Sequence, residues 1–158
     1  MKRLILILLL TLPFLARAQD AASKFFDRYT AAEGFTSVQL ERKMMRMMSR
    51  QAAEKGDAGL AQLLDGIQFI RIVAADGGDA RQFVADAEKL AAGDGFQLML
   101  AGSEAGQTTR FYLREAEFNA YSELLMLTYG AKETVVVNIY GKFDLRQVAR
   151  LSTIRPRK

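Results

Sequence analysis

The chain has 158 residues, 22 Lys and Arg against 18 Asp and Glu, a formal charge of +4, and no cysteine, histidine or tryptophan. Those absences exclude a disulfide framework, a Ser-His-Asp triad, a Cys-His pair and any thiolate zinc centre. The two prolines stand at positions 13 and 156, so no proline interrupts a helix or strand between them.

Residues 1–20 read MKRLILILLLTLPFLARAQD. Lys2 and Arg3 precede an apolar run from Leu4 to Leu15, and Ala16-Arg17-Ala18 is a small-x-small cleavage site. The run is too short for a spanning helix. Residues 1–18 are therefore expected to be a cleavable signal peptide, with Ala16 and Ala18 recognised by the peptidase and Gln19 as the first mature residue. No cysteine follows the leader, so no stable membrane anchor is expected after processing, and the destination is periplasmic or secreted. Losing Lys2, Arg3 and Arg17 leaves 19 basic against 18 acidic residues. No broad basic surface remains, and nucleic acid is not expected as a partner. Residues 19–154 form one expected domain, and 155–158 (Arg-Pro-Arg-Lys) a basic tail.

Residues 23–33 predict a short helix stopped by Gly34, with Phe25, Phe26 and Tyr29 on one face. Residues 35–40 are ambiguous in type, although Thr36, Val38 and Leu40 suit a short extended entry. Residues 41–54 predict a clearer helix. Leu40, Met44, Met47 and Met48 recur at i, i+4, i+7 and i+8 and are expected to face the sheet. Arg42, Arg46 and Arg50 form a ridge on the other side, the candidate interaction face of the chain. Residues 57–65 predict a further helical turn with Leu60, Leu63 and Leu64 inward, ended by Gly66.

Residues 67–74 (IQFIRIVA) predict a strand whose unbroken apolarity places it inside a sheet. Residues 79–92 predict a helix with Asp79 as N-cap, Phe83, Val84, Ala87, Leu90 and Ala91 as its buried stripe, and Gly93 as its stop. Strands follow at 96–101, 108–114, 121–128 and 134–140. The first two are joined by a loop at 102–106 and the last two by a turn at 130–133. Asp144 caps a closing helix at 145–152. The expected fold is α+β: a two-layer sandwich, mainly an antiparallel sheet of about five strands with helices packed on one face. The link from strand 67–74 through helix 79–92 is long enough for a right-handed crossover.

Chemistry is limited to what carboxylates and thioethers can do. No G-x-S-x-G, S-x-x-K, P-loop or strand-borne G-x-G-x-x-G occurs. Glu115, Glu117 and Glu123 are the only acidic group resembling a hydrolytic pair, without the tryptophan that commonly lines a sugar groove. Met44, Met45, Met47 and Met48 are soft ligands of the kind that select Cu(I). Core filling is their expected role, with a partner-binding face as the alternative. No catalytic, cofactor-binding or metal-ligating residue is assigned.

Four stretches carry a family resemblance: FTSVQLERKMMRMM (35–48), LLDGIQFIRIV (63–73), EKLAAGDGFQLML (88–100) and SELLMLTYGAKETVVVNIYGKFDLRQVARL (122–151). In these the chain resembles the exported bacterial domain-of-unknown-function family 4252, frequent in Bacteroidetes. The resemblance implies a fold and no catalytic residues. Family genes found beside sigma-factor and anti-sigma-factor genes imply a link to envelope signalling by association. The expectation is a non-enzymatic binding or protein-interaction module with a protein or small-molecule partner in the cell envelope. A small-molecule or lipid carrier with an apolar cleft is the alternative, and a carboxylate-only hydrolase the remote one.

Overall fold

The computed structural model describes residues 18–77, 80–93, 95–115 and 121–143. The leader up to Arg17, the Asp79 cap, Glu117, the closing helix at 145–152 and the basic tail lie outside the described residues. The elements are α1 (Ala18–Thr30), β1 (Phe35–Glu41), α2 (Arg42–Glu54), α3 (Ala58–Gly66), β2 (Ile67–Ala75), α4 (Arg81–Ala92), β3 (Gln97–Glu104), β4 (Gln107–Glu115), β5 (Ser122–Gly130) and β6 (Val135–Gly141).

The strands make one six-stranded antiparallel sheet in the order β1-β2-β6-β5-β4-β3. The α+β class and antiparallel pairing agree with the sequence reading. The sixth strand is β1, the segment left ambiguous there. It pairs with β2 along its full length, from Phe35 opposite Ala75 to Glu41 opposite Phe69. The connection through α4 carries the chain past β6, β5 and β4 to the far edge. The β3–β4 loop is shorter than expected. Both strands run on to a two-residue turn, Ala105-Gly106, with φ of 50° and 76°. That left-handed pair matches the twist of a tight hairpin.

Register assigns every side chain to a face, because directly paired residues point the same way. One row runs Ser37, Val73, Val136, Leu127 and Arg110. The opposite face carries Leu40, Ile70, Ile139, Leu124 and Leu113. The first row belongs to a core containing Phe25, Phe26 and Tyr29 of α1 and Phe83, Ala87, Leu90 and Ala91 of α4. Leu40, Ile70 and Ile139 instead pack against a core built from Met45, Ala52, Leu63, Leu64 and Ile67. The helices are thus divided, α1 and α4 on one face and the α2–α3 hairpin on the other, rather than gathered on one. The reason is that β2 and β6 carry apolar residues on both sides, and each side must be covered.

Phe83 is the hub of the first core. Its ring stacks on Phe25 at 5.5 Å and meets Tyr29 at 4.7 Å and Phe35 at 5.0 Å. The Phe25, Phe26 and Tyr29 face read from the sequence is buried as expected. Beside it, Tyr29 donates to Asp86 Oδ2 at 2.6 Å, Arg28 pairs with the same oxygen at 3.0 Å, and Gln82 donates to Asp86 Oδ1 at 2.8 Å. This polar clasp ties α1 to α4.

The second core overturns the expected orientation of α2. Met45 is fully buried, whereas Met44, Met47 and Met48 are 41%, 45% and 36% exposed. The inward face is Arg42, Met45, Ser49 and Ala52, at i, i+3, i+7 and i+10. Polar contacts choose it over the more apolar stripe. Arg42 turns inward to the Asp65 and Ile67 carbonyl oxygens, and Ser49 donates to the Ala61 carbonyl at 2.8 Å. These bonds pair Arg42 and Ser49 with backbone carbonyl oxygens of α3 and of the α3–β2 junction. At the same junction Gly66 lies so close to Lys142 that a Cβ would overlap the Lys142 carbonyl oxygen. The Lys142 N–H in turn donates to the Gly66 carbonyl at 2.9 Å. Asp57 caps α3 by accepting from the Leu60 N–H at 2.9 Å. At the head of α4, Ala80 holds the N-cap position without a side-chain bond.

Two outcomes follow from this packing. Met45→Ala is expected to cost about 2–5 kcal/mol and Met47→Ala less than about 0.5 kcal/mol in urea denaturation, the reverse of what the methionine periodicity implies. The second concerns pH. Burial, then the bond to Asp86, pushes the Tyr29 hydroxyl up to about 12, and the Tyr29 bond holds Asp86 below the usual carboxylate range. The Tyr29 contribution is complete below pH 10 and is lost as pH rises towards 12; the Asp86 contribution is lost as pH falls below the ordinary carboxylate range. Tyr29→Phe should cost about 1–2 kcal/mol at pH 7 and flatten the decline in melting temperature between pH 10 and 12.

Candidate functional site

Two features stand apart from ordinary packing: the outer surface of α2, and a polar row buried beneath α1.

The outer surface of α2 combines the exposed Met44, Met47 and Met48 with the exposed cations Lys43, Arg46 and Arg50. Among the described residues none of these three cations forms a salt bridge. Of the predicted ridge, Arg46 and Arg50 remain on the surface, and the Arg50 Nε lies 3.5 Å from the Arg46 carbonyl. Arg42 leaves the ridge; it is half-buried against the end of α3 and lies 3.8 Å from Asp65. The helix thus presents a thioether stripe beside positive charge. Val38 of edge strand β1 is exposed on the same side of the sheet.

A second apolar exposure lies on the opposite edge strand, where Leu98, Met99 and Leu100 are all at least half exposed. The pairing of β3 with β4 is irregular there, between Leu98 and Leu100. Such a bulge blunts an edge against further strand addition.

The buried row crosses four strands. Arg114 of β4, Glu123 of β5, Tyr140 of β6 and Phe69 of β2 stand in register, as do Arg71 and Asn138 one step along. Arg114 is ion-paired with the Glu123 carboxylate, itself 7% exposed. Asn138, fully buried, donates its amide to Glu123 Oε1 at 2.8 Å and also reaches the Leu124 carbonyl at 3.4 Å. The Arg71 Nη1 donates to the Ser23 hydroxyl at 3.3 Å, and its guanidinium lies over the Phe69 ring at 4.3 Å. Phe69, Tyr140 and Tyr121 stack in succession at 5.3 and 5.2 Å. Burial, the neighbouring Tyr121 and the Glu123 charge all push the Tyr140 hydroxyl up.

This row resolves the acidic group. Glu123 pairs across the strands with Arg114, and Glu115 with Ser122, so Glu115 and Glu123 fall on opposite faces of the sheet. They cannot flank one bond. Glu115 is exposed at the end of β4, and Glu117 lies outside the described residues. Ala18 is the first residue of α1, five residues before the expected helix start, and Ala16 lies outside the described residues. No group of three or more acidic residues is placed to hold a metal ion among the described residues.

Sequence reasoning passed over Arg71, Arg114 and Asn138. A signal was present for two of them. Arg71 is the only charge in IQFIRIVA, and Asn138 the only amide in VVVNIY. A polar residue inside a run meant for a sheet interior requires a buried partner.

None of the curated proteins and none of the solved structures matches this chain. Residues 29–151, most of its length, match the family described as Domain of unknown function (DUF4252). The chain belongs to that family, and the match takes in β1 to β6 together with α2, α3 and α4.

Proposed function

We propose that this is an exported interaction module that binds a protein segment through the outer face of α2. The observation that carries the reading is the exposure of Met44, Met47 and Met48 on a helix whose buried face is supplied by other residues. Methionine side chains are flexible and polarisable, which suits an adaptable contact surface. The flanking Lys43, Arg46 and Arg50 define the occupant by charge: an amphipathic segment with apolar anchors beside Asp or Glu. The expected leader at residues 1–18 supports a cell-envelope destination, and a chain without histidine or cysteine supports action by contact rather than by bond-making.

The carrier alternative needs a large apolar concavity. Most of the space between α1, α4 and the sheet is filled by the Phe83 cluster, and the cavity left beneath α1, about 170 Å³, is too small for a lipid chain. A concavity of about 670 Å³ beside the β3–β4 turn is lined by Leu100 and Phe111 together with Ser103, Glu104, Gln107, Thr109, Lys132 and Glu133. The charged Glu104, Lys132 and Glu133 interrupt its apolar surface, which does not suit a lipid chain.

A photo-crosslinking amino acid at Met47, in the native host, tests the proposal. The expected result is one discrete protein adduct, weakened at least tenfold by combined Arg46→Glu and Arg50→Glu and absent when the probe is moved to Lys132. Adducts with lipid alone, with a second copy of the chain, or with a partner indifferent to charge reversal would overturn it.

A further inference from the structure

Beneath α1 the buried polar row opens onto a cavity of about 170 Å³, lined by Ala22 and Ser23 of α1, Phe69 and Arg71 of β2, Glu123 of β5, and Asn138 and Tyr140 of β6. Two of the polar atoms around it are buried without a partner among the described residues: the Arg71 Nε–H, a donor, and the Asn138 Oδ1, an acceptor. They belong to residues directly opposed across β2 and β6. An unpaired group in such a place destabilises the fold, and an unpaired guanidinium does so more strongly. Neither residue is needed to fill the sheet, since the neighbouring Val73 and Val136 do that with aliphatic side chains.

The charges are also uneven. Among the described residues, Arg71 and Arg114 face one carboxylate, that of Glu123, which Arg114 already pairs. One positive charge, on Arg71, is left to its Ser23 bond and the ring of Phe69. A ligand that completes this constellation brings one negative charge for Arg71 and, close to it, a neutral donor for Asn138. A guanidinium binds carboxylate strongly through charge-assisted hydrogen bonds. A hydroxyl next to a carboxylate supplies the donor. An ammonium would meet a neutral amide oxygen and a carboxylate that Arg114 and Asn138 already occupy, so a zwitterion fits less well. In size the space is close to cavities that accept a benzene-sized guest of about six heavy atoms. The Phe69 and Tyr140 rings form an apolar wall for the short carbon skeleton.

We propose that the cavity under α1 is a binding site for a small hydroxy-monocarboxylate, with Arg71 holding the carboxylate, Asn138 accepting from the hydroxyl, and Glu123 and Arg114 orienting Asn138. This site is independent of the α2 surface, from which the sheet separates it.

The probe is lactate, titrated calorimetrically into the purified protein, with acetate and alanine as comparators. Lactate is expected to bind with its heat saturating at one per chain and to raise the melting temperature. Acetate, which lacks the donor, and alanine, which carries an ammonium, should each bind at least about tenfold more weakly. Arg71→Lys keeps the charge but removes the Nε donor and should weaken lactate about tenfold or more. Ser23→Leu, on α1, replaces the hydroxyl facing Arg71 with a bulky side chain that should block the cavity and give the same loss with the circular dichroism spectrum intact. It keeps the proposal testable if Arg71→Lys does not fold. Equal responses to lactate, acetate and alanine, lactate binding retained in Ser23→Leu, or no lactate heat, with only water in the cavity of a soaked crystal, would each overturn the assignment.

Discussion

The β2–β6 part of the sheet has to be buried on both faces, and the helices are arranged around that requirement. β2 and β6 are its middle strands on one side, and each carries apolar residues at both odd and even positions. Val73 and Val136 point to the Phe83 cluster, whereas Ile70 and Ile139 point to the α2–α3 hairpin. A chain with no cysteine has no disulfide to assist it. It relies on these two hydrophobic cores, one aromatic and one aliphatic, and on polar bonds that close the seams between them.

That double burial explains the two features of functional interest. A polar residue placed in β2 or β6 enters a low-dielectric layer and must be answered by another. Arg114, Glu123 and Asn138 answer one another, Arg71 turns to Ser23, and the two atoms left over face the same small cavity. On the other face, the α2–α3 hairpin has only one side to offer the sheet. Once Arg42 and Ser49 bond the carbonyls of α3 and the α3–β2 junction, Met45 and Ala52 are drawn inward and the remaining methionines turn out. Surface thioethers are thus a consequence of how the hairpin satisfies its backbone.

Much of the architecture was legible along the chain. The apolar runs at 67–74 and 134–140, the Phe25, Phe26 and Tyr29 face and the Phe83 to Ala91 stripe all lie where their periodicity puts them. These signals are local, since period and burial are linked within one element. The methionine helix misled because 44, 47 and 48 make the better apolar stripe, and periodicity measures apolarity without knowing which carbonyls a neighbour leaves unpaired. The hairpin turn was placed too wide because Gly102 and Ser103 resemble loop residues, yet an edge strand tolerates them. Nothing in the spacing of Arg114, Glu123 and Asn138 announces their meeting, for they belong to three different strands.

Local pattern settled most element types and the α+β class, because helix and strand periods are written within a few consecutive residues; the family followed from the residues matched over 29–151. Which face α2 shows to water, how the helices divide between the two sides of the sheet, and which polar groups share a cavity were decided only in three dimensions. Those outcomes depend on strand register and on the pairing of buried donors with acceptors, both of which link residues tens of positions apart.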